Sequence, residues 1–153
     1  RPEGAGCYCA ANSLAKKYID ALNENYLFVV VDNEAGMEHM SRLVTQDVER
    51  LFVVSDPTPR GLMTARRLCD LIGELNLTIH GTSLIINRVR SGAEKEALRA
   101  AEARGLEADG IVHDDGDIRD GESMERPVFS LDPRSVALTD AYAIFSRIFN
   151  RKG

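Results

Sequence analysis

The chain lacks tryptophan altogether and holds only three cysteines and five prolines in 153 residues. Its longest uninterrupted apolar run is "YLFVVV", residues 26–31, far short of what a bilayer demands. No signal-peptide pattern opens the chain, and the cysteines do not form a disulfide framework, so a cytoplasmic setting is expected. No block of like charge occurs, and the net charge of −5 argues against nucleic acid as the main partner, which calls for a basic face. A phosphate-cradling Gly-x-x-x-x-Gly-Lys-Ser/Thr stretch is missing too. Any nucleotide chemistry must take its phosphate cradle from elsewhere.

What is present is ordinary for a soluble globular protein: 44 % hydrophobic and 28 % charged residues, and length for one real core. Apolar runs without alternation recur, as in strands covered on both faces of a parallel sheet. "YLFVVV" stops at Asp32, "RLFVV" at Ser55 and Asp56, "TSLII" at Asn87, and a shorter run in "ADGIVH" at His113 and Asp114. Helical stretches lie between them. Asn12 can cap a helix over 13–22, with Leu14, Tyr18, Ile19 and Leu22 on one face. Thr58 and Pro59 supply an N-cap and first helical residue for a helix through Ile72. Ser91 and Glu94 have capping-box spacing for a helix ending at Gly105. Asp132 and Pro133 start a last helix with Leu138, Ala141, Tyr142, Phe145 and Phe149 on one stripe.

This alternation predicts right-handed βαβ units in a doubly wound, mainly parallel sheet. Such sheets bind ligands at the carboxyl ends of their strands, which here carry Asp32, Ser55–Asp56, Asn87–Arg88 and His113–Asp114. "VVVDNEAG" places Asp32 at a strand end, with Ala35 and Gly36 three and four residues later. An aspartate so placed either holds Mg²⁺ through water beside a γ-phosphate or simply turns the chain. Asp56 before Pro57 is equally an ordinary turn starter.

Cys7 and Cys9 sit one residue apart after a glycine-rich start. On an extended segment both thiols face one side. A disulfide between them is strained by its small ring. A soft ion such as Zn²⁺ or Ni²⁺ suits thiolates, but two ligands leave a site half empty, and a two-fold homodimer supplies two more. The other reading is a pair of small loop residues without a ligand. Cys69, in "RRLCDLIG", reads as a buried small apolar residue. His39 and His80 have no partner at metal-ligand spacing.

The segments "RPEGAGCYCAAN", "VVVDNEAGMEHMSR", "VVSDPTPRGLMTARRL" and "IINRV" closely resemble the CooC-type maturation ATPases of carbon monoxide dehydrogenase. These nickel-insertion factors belong to the MinD and nitrogenase-iron-protein group of P-loop ATPases. The resemblance spans essentially the whole chain and implies a P-loop NTPase-like fold whose P-loop and first strands lie upstream. Residues 1–153 would then be the C-terminal portion of one MinD-like ATPase domain, inactive alone. Carried over residue by residue, Asp32 organises Mg²⁺ and the attacking water. Asn33 to Gly36 respond to the γ-phosphate. Asn87 and Arg88 contact adenine, one by hydrogen bonds and one by packing over the ring, with Asp115 a further candidate for that pocket. In "GIVHDDGD", His113 stands where relatives carry the proline of a Pro-x-Asp stretch. Cys7 and Cys9 become the metal pair, at a site bridging a homodimer. ATP and Mg²⁺ are the implied cofactors, Zn²⁺ or Ni²⁺ the bridging ion, and carbon monoxide dehydrogenase the partner.

Two rival functions stand beside this one: a MinD/ParA-like positioning ATPase, and an iron–sulfur carrier or electron-transfer ATPase. The ending "AYAIFSRIFNRKG" has aromatics on one side with Arg147, Arg151 and Lys152 nearby, a pattern of either a membrane-surface helix or one covering a sheet face.

Overall fold

The computed structural model describes residues 9–33, 47–74, 78–125, 127 and 130–150. The chain divides into two compact units, one of residues 1–49 and 71–81, the other of 50–70 and 82–153.

In the first unit, α1 (Cys9–Asn25) leads into residues 26–33, and β1 (Asp47–Val48) pairs in parallel with β3 (Thr78–Ile79). Two expectations are corrected here. Asn12 lies inside α1 instead of capping it, because the helix already begins at Cys9. The run "YLFVVV" forms no strand, although its composition is that of one. A strand exists only through the N–H and C=O groups of its neighbours, and neither ladder among the described residues includes this segment. Leu27 and Val30 are accordingly 97 % and 91 % exposed, and Leu14 and Tyr18 of α1 are exposed as well.

The second unit is built on three parallel strands in the order β2 (Leu51–Ser55), β4 (Thr82–Val89), β5 (Gly110–His113). α2 (Pro59–Glu74), whose residues 59–70 belong to this unit, follows β2, α3 (Glu94–Glu102) joins β4 to β5, and α4 (Gly116–Ser123) and α5 (Val136–Phe149) follow. The central strand is the most buried: Ser83, Leu84, Ile85 and Ile86 are consecutive buried residues, so both faces of β4 are covered. Val53, Leu62, Ala65, Val89, Ala97, Ala101, Leu106, Ala137 and Ile144 complete the core.

Local chemistry sets the helix ends. Thr58 Oγ1 accepts the Gly61 N–H at 3.0 Å, so Thr58 is the N-cap that the sequence implies for α2. α3 ends in a Schellman turn. Leu106 N–H donates to the Ala101 carbonyl, Gly105 N–H to that of Glu102, and Gly105 takes φ +67°, which suits glycine. The expected capping box does not form at the other end. Ala93 is the N-cap, and Glu94 Oε1 accepts instead from Gly92 N–H at 2.8 Å.

α5 starts at Val136, three residues beyond Pro133. Asp132 and Pro133 make the turn before it, where Ser135 N–H donates to the Asp132 carbonyl. Its buried face carries Ala137 and Ile144, one position round from the expected aromatic stripe, and Tyr142 is exposed. Phe145 and Phe149 still contact the sheet, with ring centroids 5.1 and 6.1 Å from Phe52. That contact is what a sheet-covering helix makes. No helix among the described residues is long and apolar enough to cross a membrane.

Candidate functional site: a cleft at the carboxyl edge of the sheet

Because β2, β4 and β5 are parallel, their carboxyl ends lie along one edge. A cleft of about 150 Å³ opens there, lined by Asn87, Arg88, His113, Asp114, Asp115, Ile118, Arg119 and Ala137. A cavity of this order accommodates a single aromatic ring system rather than a whole nucleotide.

The wall from β4 is shaped by a bulge. Ile86 pairs with Ile111 and Val89 with His113, so Asn87 and Arg88 stand opposite Val112 alone. Strict alternation would send Asn87 and Arg88 to opposite faces of the sheet. The extra residue breaks that alternation, and both line the cleft. Arg88 holds φ +61°, a left-handed conformation that a non-glycine residue adopts at a cost on the order of 1 kcal/mol. Asn87 Oδ1 accepts the Arg88 N–H at 2.9 Å, which supports the bulge and fixes which end of the amide is oxygen. The Asn87 amide nitrogen has no hydrogen-bond partner among the described residues, and so remains an oriented donor at the cleft.

The opposite wall comes from the end of β5 and the two following helices. Asp115 is buried, and its carboxylate accepts from Ser135 Oγ at 2.5 Å, Ala137 N–H at 3.1 Å and Asp117 N–H at 2.8 Å. These donors hold its pKa below the ordinary carboxylate value, Ser135 contributing most and the Ala137 amide next. One aspartate thus caps α4 and α5 together. Asp114 pairs with Arg119 at the rim.

His113 lies between two carboxylates, Asp140 Oδ2 at 2.7 Å from Nδ1 and Glu94 Oε1 at 3.0 Å from Nε2. Neither contact was legible in the sequence, since the partners are 27 and 19 residues away. The sequence marked the position by its place at a strand end and by the replacement of a proline, not by these partners.

Asn87, Arg88 and Asp115 therefore share one cleft, with Asp115 serving the two helix caps at the same time. Asp56 is a turn former here. Its Oδ1 accepts from Thr58 N–H at 2.9 Å and Thr58 Oγ1 at 2.5 Å, and the Cβ that a larger residue would bring at Gly61 collides with that carboxylate. Asp32 is exposed and lies in the first unit, at the end of a segment that is not a strand. Cys9 is the first residue of α1. Cys7, Gly36 and His39 lie outside the described residues. Cys69, in α2, is half-buried, and burial pushes its thiol up. His80 faces Asp47 at 2.8 Å in the first unit. Among the described residues no group of three or more His, Cys, Asp or Glu side chains could hold a metal ion.

The fold is that of the MinD-type P-loop NTPases. MinD of Aquifex aeolicus superposes with a TM-score of 0.73 at 17 % identity, over 91 % of this chain and 61 % of that one. MinD of Pyrococcus horikoshii, solved with Mg-ADP, gives 0.67 at 18 %, over 93 % and 58 %. In sequence, an ATP-binding protein of Methanocaldococcus jannaschii is 34 % identical over 152 residues, 99 % of this chain and 60 % of that protein. The carbon monoxide dehydrogenase accessory protein CooC of Rhodospirillum rubrum is 32 % identical over 75 residues, 48 % of this chain and 28 % of CooC. No protein-family model matches the chain. The chain thus spans about 60 % of the length of the archaeal relative it matches.

Proposed function

We propose that the cleft receives adenine and that the chain is part of an ATP-hydrolysing, MinD-like metallochaperone serving nickel insertion into carbon monoxide dehydrogenase in the cytoplasm. The observation that carries the nucleotide reading is the convergence of Asn87, Arg88 and Asp115 on one ring-sized cleft at the carboxyl edge of a parallel sheet. The ring fits the groups present. Asn87 offers an oriented amide donor for a ring nitrogen, and Arg88 offers a planar cation for the ring face. Asp115 keeps the wall in place through the two helix caps. The archaeal relative is described as ATP-binding, and a MinD of this fold holds Mg-ADP, which supports the same reading. Mg²⁺ would supply charge neutralisation at the phosphates, with Asp32 its candidate holder.

The metal half of the proposal rests on Cys7 and Cys9 and on the partial similarity to CooC. In this reading a homodimer joins two thiol pairs around one soft ion, and ATP turnover couples to opening and closing of that dimer. The test uses the full-length protein: ADP binding with and without Asn87→Ala, then nickel activation of metal-free carbon monoxide dehydrogenase with ATP present. Weaker ADP binding in the variant and ATP-dependent activation are the expected results. Activation that ignores the protein would leave the nucleotide site and remove the chaperone role.

A positioning ATPase is the second reading, favoured by the superposition on MinD. Nothing in that task uses paired thiols, so metal-free protein with full biological activity would select it.

A further inference from the structure

Glu94, His113 and Asp140 come from the first turn of α3, the end of β5 and the middle of α5. Their side chains form one line. His113 Nδ1 lies 2.7 Å from Asp140 Oδ2, and Nε2 lies 3.0 Å from Glu94 Oε1. Asp140 Oδ2 also accepts the backbone N–H of His113, at 2.9 Å. A neutral imidazole has one donor nitrogen and one acceptor. Two carboxylates on opposite nitrogens each require a donor, and only the imidazolium serves both.

The surroundings favour that charge. The side chain of His113 is 22 % exposed, and those of Asp140 and Glu94 are 23 % and 37 %. Hydrogen bonds from Asp140 first and Glu94 second hold the imidazole pKa above its ordinary 6.5. Glu94 is lowered to about 2, chiefly by the Gly92 amide and its own, with His113 adding to the effect. Among the described residues, the other charged groups lining the cleft are Arg88, Asp114, Asp115 and Arg119. Asp114 pairs with Arg119, Asp115 is engaged by Ser135, Ala137 and Asp117, and Arg88 of β4 lines the same cleft.

We propose that His113 is a positioning residue for this cleft: tied as an imidazolium to Glu94 and Asp140, it fixes the end of β5 against α3 and α5, and ring binding is coupled to one proton on its side chain. The inference rests on the reading of the cleft as an adenine site. When the proton leaves, one of the two bonds loses its donor. Asp140 keeps the backbone N–H of His113 and Glu94 keeps that of Gly92, so the link through the ring is the part that fails. The sign follows from the raised pKa. The clamp is complete below the ordinary imidazole value and is lost as pH rises through the higher folded value. Affinity for the ring is therefore flat on the acid side. Above that value it declines by at most about tenfold per pH unit, the limit for one linked proton.

The test is ADP binding by calorimetry to the full-length protein from about pH 5.5 to about pH 9, with the His113 ring titrated by NMR. Wild type, His113→Gln and Glu94→Gln are compared. The expected wild-type affinity falls with a midpoint at the NMR value of His113. His113→Gln is expected to lose that fall, and any slope it retains measures the titration of ADP itself. Glu94→Gln is expected to move the midpoint to lower pH, because one of the two carboxylates raising the imidazole is gone. That shift decides the matter if His113→Gln does not fold. Identical profiles for wild type and His113→Gln, or a midpoint that ignores Glu94→Gln, would overturn the role of His113 and leave the base site standing. Absence of ADP binding at every pH would overturn both.

Discussion

Ser135 Oγ donates to Asp115 Oδ2 across 2.5 Å, joining the segment before α5 to the turn before α4. Through the same carboxylate Ala137 and Asp117 secure the first turns of both helices. Asp115→Ala removes two caps, each worth roughly 1 kcal/mol, and the expected loss is about 2 kcal/mol of stability. The pKa of Asp115 is depressed, so its contribution is present above the unfolded value of 3.8 and disappears as pH falls through the lower folded value. Chemical denaturation of wild type and variant at neutral pH and near pH 3 checks both statements. The gap between the two proteins should narrow in acid. Equal stabilities at neutral pH would mean that water replaces the carboxylate at both helix ends.

Arg88 offers a separation of stability from binding. Its φ of +61° costs an arginine about 1 kcal/mol, which glycine does not pay, while glycine loses a similar amount through chain entropy. Arg88→Gly is therefore expected to melt within about 1 kcal/mol of wild type. Its ADP affinity should nonetheless fall by about tenfold, as the guanidinium leaves the ring face. Calorimetric binding beside a thermal melt provides the measurement. A variant that binds ADP as wild type does would take Arg88 out of the site and leave the bulge as a device for Asn87 alone.

The bulge also shows where sequence patterning stops. "LFVVS" and "SLII" read correctly as strands of a parallel sheet; only the second, in the central strand, is covered on both faces, while Val54 of the first is exposed at the sheet edge. "YLFVVV" has the same composition and forms no strand, because composition states what a strand wants and not which neighbour it has. Ser91 and Glu94 have capping spacing, yet Glu94 turns to Gly92 and to a histidine 19 residues away. No local rule contains that histidine. The placement of Asn87, Arg88 and Asp115 followed from strand ends and family resemblance. The bulge, the shared cap at Asp115 and the clamp on His113 depend on tertiary contacts that no window of sequence holds.

Asp32 is argued from chemistry more than from geometry. It lies after an apolar run and before "NEAG", and an aspartate there suits the positioning of Mg²⁺ and water. In the full-length protein Asp32→Asn is expected to keep nucleotide affinity within about threefold while hydrolysis falls by about a hundredfold or more, since positioning supplies most of this catalysis. Single-turnover hydrolysis with saturating ATP separates the two effects. Unchanged turnover would return Asp32 to the role of a turn residue.

Two of the chain's three cysteines, Cys7 and Cys9, stand one residue apart. Cys9 is the first residue of α1, a helix of 17 residues. Two thiolates are too few to close the coordination of a soft divalent ion, and a two-fold axis supplies an identical second pair. One ion per homodimer is expected in the full-length protein, with four sulfurs at about 2.3 Å if the ion is zinc. Thiolate ligands make the binding proton-coupled, so loading should release protons and weaken as pH falls. Metal analysis together with mass measurement in solution, on wild type, Cys7→Ser and Cys9→Ser, examines each premise. Either substitution should abolish both the ion and metal-dependent dimerisation, because each removes one thiol from both chains and leaves two ligands of the four. Cys69→Ser, in α2, should change neither. A stoichiometry of one ion per monomer would show that the ligands come from a single chain. A loaded dimer that survives both substitutions would show that the bridge is built from other residues.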